Sequence, residues 1–174
     1  MFIKNLKTIL LTPIIVLFIS SAVRSQEVGS IQATATVVST LSISGTQNLD
    51  FATVTPGIVK SVDKSTVGSA GEFSLSGVAN SEVSLNFTLP SDLMAGASNM
   101  PISFTGLDCS WDDGSGGGQS SPSGAIDPRI SNNLRLGAGG ALTVWLGGTV
   151  TPSVAQTGGS YTADVILTVA YTGG

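Results

Sequence analysis

Residues 158–174 read GGSYTADVILTVAYTGG, and no other segment restricts the fold so sharply. Tyr161, Ala163, Val165, Leu167, Val169 and Tyr171 fall on one side of an extended chain. Thr162, Asp164, Thr168 and Thr172 fall on the other, where only Ile166 and Ala170 break the polar face. Side chains alternate across a strand, so this period of two predicts a long, half-buried β-strand entered from the Gly158-Gly159 turn.

The same period recurs along most of the chain. Ile31, Ala33, Ala35, Val37, Leu41 and Ile43 share one parity, and Thr34, Thr36, Thr40, Ser42 and Ser44 the other. Leu49 and Phe51 follow, before a turn at Pro56-Gly57. Phe73 with Leu75, Val83 to Leu89, Ile102 with Phe104, and Leu134 with Leu136 supply further short strands. Leu142, Val144 and Leu146 run into Gly147-Gly148, where a bulge is predicted. Helical periodicity is absent, apart from one turn expected within 91–99. The Gly/Ser-rich stretch 111–124 is expected as a long surface loop inside one domain. Short strands divided by Gly, Pro and Asn turns predict an all-β sandwich or barrel.

Residues 1–25 stand apart. Lys4 and Lys7 precede an apolar run from Ile9 to Ile19, followed by Ser20, Ser21, Ala22 and Ser25. That order predicts a secretory signal, cleaved after Ala22 or, as favoured, after Ser25. The run is shorter than the roughly 20 residues of a spanning helix, so no stable membrane span is expected after cleavage. The expected address is extracellular or cell-surface, reached through the periplasm, with one domain over 26–174. Loss of the leader leaves four of the 7 basic residues against all 11 acids, a net charge of −7. A chain so acidic, with no basic cluster, is not expected to bind nucleic acid.

With these segments laid out, the chain resembles a bacterial secreted family, the domain-of-unknown-function family numbered 4402. That family is itself similar to spore coat protein U domains and to chaperone–usher pilins. The resemblance rests on ATATVV at 33–38, LDFATVTPG at 49–57, FSLSG at 73–77, VSLNFTLP at 83–90, VWLGGTV at 144–150 and GGSYTADVILTVAY at 158–171. Ala52 departs from it, standing where glycine is usual. The disulfide common in usher pilins cannot form here, because there is one cysteine. The resemblance implies an immunoglobulin-like, pilin-like antiparallel β-sandwich with a structural or adhesive role.

The residue types narrow the chemistry. There is no histidine, which removes Ser-His-Asp and Cys-His catalysis and any imidazole zinc ligand. Enzyme activity and cofactors are therefore not expected. Cys109, the lone thiol, is expected to be buried. Asp108, Asp112 and Asp113 are the residues that would hold a calcium ion, but their spacing departs from the D-x-D-x-D-G pattern. A solvated acidic loop is the favoured reading, with Asp112 and Asp113 pointing to opposite sides of an extended chain. Trp111 and Trp145 are the candidate glycan contacts, Trp145 lying on the outer face of its strand. Tyr161 and Tyr171 are expected in the core.

One length bears on partners. Ile31 to Ser44 would extend roughly 45 Å at ~3.3 Å per residue, more than twice a typical strand. It must bend between sheets, or its early part projects and pairs with another subunit's sheet edge. Val28, Ile31, Ala33, Ala35 and Val37 are the subunit-contact candidates on this reading. Self-association or other surface subunits are the expected partners, with a glycan as the alternative.

Overall fold

The structure, a computed structural model, describes residues 30, 32–34 and 40–173. The chain divides into two compact units, Met1–Thr36 and Val37–Gly174, and every strand belongs to the second. The predicted leader, together with Val28, Ile31, Ala35 and Val37, lies outside the described residues. Ala33 is described: it is exposed and in no strand.

Twelve strands are present among the described residues: β1 Ser42–Gln47, β2 Lys60–Val62, β3 Gly71–Ser76, β4 Glu82–Thr88, β5 Asp92–Ala95, β6 Ser98–Ser103, β7 Cys109–Asp112, β8 Gly124–Ile126, β9 Asn132–Arg135, β10 Ala141–Leu146, β11 Gly148–Val150 and β12 Ile166–Tyr171. They form three sheets in the orders β1-β3-β10-β7-β8, β2-β11-β6-β5 and β12-β4-β9. Every pairing is antiparallel. No α-helix occurs among the described residues.

Period two does what it predicts. Val83, Leu85 and Phe87 of β4 turn inward, as do Leu142, Val144 and Leu146 of β10 and Leu167 of β12. These meet Leu75, Cys109 and Leu136 in one apolar cluster, so the five-stranded and three-stranded sheets pack face to face as a sandwich. Phe73 and Phe87 make an edge-to-face contact at 5.9 Å. A second cluster of Phe51, Val62, Ala70, Met100, Ile102 and Val150 fills the space under the four-stranded sheet.

The sheets stack into two tiers. β10 passes through Gly147 into β11, where a bulge is predicted and the chain instead changes sheets, and β6 leads into β7. On the other layer β4 leads into β5, and a bridge from Met94 to Thr162 prolongs the β4–β12 pairing. One end of the domain therefore carries the loops 52–59, 95–98 and 151–160. The other carries Thr40, the turns 77–81 and 137–140, and Tyr171. Tyr171 ties the two layers there: its hydroxyl donates to the Thr40 carbonyl at 3.2 Å and accepts the Val78 N–H at 2.8 Å.

Three further expectations change. The strand read from Tyr161 to Tyr171 is broken: regular pairing begins at Ile166, and residues 163–165 have no sheet partner among the described residues. Its facing survives, with Leu167 buried, Val165, Val169 and Tyr171 half-buried, and the even positions exposed. Residues 91–99 form no helical turn; β5 and β6 make a hairpin through Gly96, whose φ of 60° suits glycine. Leu49 and Phe51 lie in irregular chain, although Phe51 is buried.

That irregular segment contains Ala52, with φ of 50°. Its N–H is held by the Asp50 carboxylate at 2.7 Å. A left-handed backbone costs a residue with a Cβ about 1–2 kcal/mol. Glycine removes that strain but gains about 0.4–1 kcal/mol of unfolded-chain entropy. Ala52→Gly is therefore expected to raise stability by up to ~1 kcal/mol. A lower midpoint in urea denaturation would contradict this.

Candidate functional site

Among the described residues, the sandwich is open along one side. β1 ends the five-stranded sheet and β12 the three-stranded one, and they lie next to each other across the two layers, joined by Tyr171 at Thr40. The backbone pattern shows what each edge offers. Thr172 N–H donates to Glu82 carbonyl, so even-numbered residues of β12 face β4. The N–H and C=O groups of Leu167, Val169 and Tyr171 consequently point away from the sheet. Gly77 N–H donates to Gly140 carbonyl in the β3–β10 register, which assigns even residues of β3 to β1. The backbone groups of Ile43 and Gly45 therefore also point outward.

Apolar side chains between these edges are incompletely covered. Ile43 stands opposite the fully buried Leu75, yet is 37% exposed. Val165, Val169 and Tyr171 pack on the core while remaining half-buried. Further along the same opening lies a groove of about 990 Å³. Gly45, Gln47 and Leu49 to Val54 form one wall, and Gly158 to Val165 the other. Phe73, Leu93, Met100, Ile102, Leu146 and Val150 line it as well. The opposite side of the sandwich is different. β8 is three residues long and leads into the Asp127–Arg129 ion pair, while β9 carries Asn132, Asn133 and Arg135. Short and charged edges resist pairing with another strand; the β1–β12 side has neither protection.

The candidate aromatic contacts are drawn inward. Trp145 has the outward parity expected of it, but is only 5% exposed, and its indole N–H donates to Glu72 at 2.8 Å. Thr46 hydroxyl donates to the other Glu72 oxygen at 2.7 Å. Trp111 belongs to β7, not to the loop; it is half-buried, packs on the main core and lies flat against Gly124. A Cβ at residue 124 would come within 2.9–3.0 Å of the indole. Trp145, expected on an outer strand face, is buried, and Trp111, expected in the loop, is built into β7 and half-buried. Tyr161 is half-buried against the second cluster.

The acidic stretch is a structural knot. The N–H groups of Gly114, Gly116 and Gly118 donate to the Asp112 carboxylate at 2.7, 3.1 and 2.6 Å. Ser123 hydroxyl lies 3.0 Å from both Asp112 and Asp113, so the two carboxylates converge instead of diverging. The chain turns immediately after β7, which removes the alternation assumed for an extended segment. Asp108 is occupied elsewhere, accepting the Thr105 N–H at 2.6 Å. The three carboxylates do not face a common space. No group of three metal-ligating side chains occurs among the described residues. Burial raises the Asp112 pKa, but the three backbone donors and Ser123 outweigh it and leave the carboxyl below its ordinary value.

A depressed folded-state pKa means that the charged form is the one the fold favours. Its contribution is complete above the ordinary aspartate value of 3.8 and is lost as pH falls through the lower folded value. Asp112→Ala should thus free residues 113–123 at neutral pH, giving faster amide exchange and a new proteolytic nick there. Wild-type protein should show the same loosening only in strong acid. Unchanged exchange in the variant would refute the role assigned to Asp112.

Cys109 is fully buried and its thiol is pushed up to about 12 by burial, so it carries no nucleophilic chemistry. No helix of the described residues is long and apolar enough to cross a membrane. Compared with known proteins, the chain matches no family model and no curated sequence. The groove itself has no local motif. Its two walls come from residues about 115 apart, and only the packing of the two sheets edged by β1 and β12 brings them together.

Proposed function

We propose that this chain is a secreted, non-enzymatic structural subunit of the cell surface, pilin-like in its immunoglobulin-like sandwich, which assembles by accepting a β-strand from another copy. The observation that carries the reading is the open side: two neighbouring sheet edges whose outward backbone groups have no partner among the described residues, above apolar side chains that are only partly covered. Strand addition satisfies both at once, main-chain groups by pairing and alternate side chains by burial. The alternating segment 28–38 has the period needed for a donor, with Val28, Ile31, Ala33, Ala35 and Val37 as the contact candidates. The resemblance to family 4402, and through it to pilins, supports the same reading and a bacterial surface address reached by a cleaved leader. Absence of histidine and the use of the Asp112 and Asp113 carboxylates in holding their own loop support a role without catalysis.

The test is assembly by the exported protein. Deleting residues 28–38 should abolish filaments in negative-stain images and leave a single monomer peak on sizing, with the circular dichroism of the sandwich retained. Filaments of undiminished length after the deletion would rule out this segment as donor.

A further inference from the structure

We propose that Ile58, Val59 and Val154 form a seat for a second copy of this chain, which packs on it with the opposite end of its domain, around Val78. The proposal rests on the strand-addition reading, and names the body-to-body contact that such addition would produce.

The seat is a raised apolar knuckle. Val154 is 89% exposed, Ile58 61% and Val59 56%. Single exposed aliphatics are ordinary, but these three sit on two loops fastened to each other. Gly57 N–H donates to Ser153 carbonyl at 3.0 Å, and a Cβ on Gly57 would lie 3.1 Å from Val154. Gln156 locks the second loop by accepting the Ser153 N–H at 3.0 Å and donating to Asn99 carbonyl at 2.9 Å. Side chains held on such a frame lose little freedom on binding. The knuckle stands beside the mouth of the groove, whose lining includes Pro56, Pro152 and Gln156.

Chain geometry selects the occupant. The segment preceding the domain joins it at Thr40, at the end opposite the knuckle. β12 runs from the groove mouth towards that end. A donor strand antiparallel to β12, and hence parallel to β1, would therefore finish at the mouth. Only Val38 and Ser39 separate Val37 from Thr40, a reach of roughly 10 Å at ~3.5 Å per residue. The donor's own domain is thereby held against the knuckle, presenting the end that carries Thr40. That end exposes Val78, Ala79, Ala138 and Gly139 on turns joined by the Gly77-to-Gly140 and Asn80-to-Gly137 hydrogen bonds. The exposed side chains on these two turns are small and apolar, apart from Asn80. A contact between two different surfaces of identical subunits does not close on itself and propagates as a filament. A donor parallel to β12 would instead bring two Thr40 ends together, where each subunit's own segment already leaves.

Cross-linking distinguishes the seat from the strand. Full-length exported protein carrying Val78→Cys with Val154→Cys, treated with a short bis-maleimide, should give a ladder of dimers, trimers and higher species. Each single variant should give none, since Cys109 is buried and unreactive. A second pair, Ala35→Cys with Val169→Cys, reports donor insertion independently. A ladder from the second pair without one from the first overturns the seat and leaves strand addition standing. A ladder from the first pair alone supports the seat while removing strand addition, and no ladder from either overturns both. Val154→Asp should shift the sizing profile from filaments to short oligomers; an unchanged profile counts against the seat.

Discussion

Leu85→Ala will destabilise the domain by about 2–5 kcal/mol, the range for a leucine deleted from a packed interior. Leu85 is completely buried at the centre of β4, the middle strand of the three-stranded sheet, and belongs to the cluster shared by both layers. Its removal leaves a cavity that neither sheet can close without disturbing the β12 and β9 ladders on either side. At ~4 °C per kcal/mol for a domain of this size, the melting temperature should fall by roughly 8–20 °C. With one cysteine and hence no internal disulfide, nothing covalent offsets the loss. Leu107, 75% exposed in the turn before β7, supplies the control: Leu107→Ala should change stability by less than about 0.5 kcal/mol. Thermal denaturation followed by circular dichroism measures both. Equal effects at the two positions would show that the sandwich core has been misplaced.

What the sequence disclosed, and what it withheld, follows from the range over which each interaction acts. Parity is local, so the inward faces of β4, β10 and β12 are legible from Val83, Leu85 and Phe87, from Leu142, Val144 and Leu146, and from Leu167. Cover is not local. Trp145 has outward parity and is nevertheless buried, because Glu72 on the neighbouring strand takes its indole N–H. Asp112 and Asp113 look like free acids until the segment after them folds back, with glycine N–H groups donating to Asp112 and Ser115 donating to Asp113. The hairpin at 91–99 was obscured by Leu93, Met94 and Ala95, residues with helical propensity whose state is decided by pairing with β6. The groove was invisible for a further reason: it lies between the edges of β1 and β12, and no single segment can signal a gap between two others.

The proposed donor strand gives the second large effect. Val169→Asp should abolish assembly while leaving the free domain folded. In the monomer Val169 is half-buried on an edge strand, where an aspartate can turn its carboxylate to water. Once a donor strand occupies the opening, the same carboxylate is enclosed between apolar layers with no cation opposite it, since Lys and Arg are absent from 28–38. Enclosing an unpaired charge costs several kcal/mol. Even ~3 kcal/mol weakens association by at least about 100-fold. Thr168→Asp is the decisive companion. Thr168 lies one residue away on the exposed face of the same strand, with its backbone groups directed to β4. A charge there stays in water whether or not a donor is present, so filaments should form as in the wild type. Sedimentation and negative-stain microscopy of the two variants read the difference directly. If the two aspartates act alike, assembly does not pass through the inward face of β12, and the open side of the sandwich has some other use.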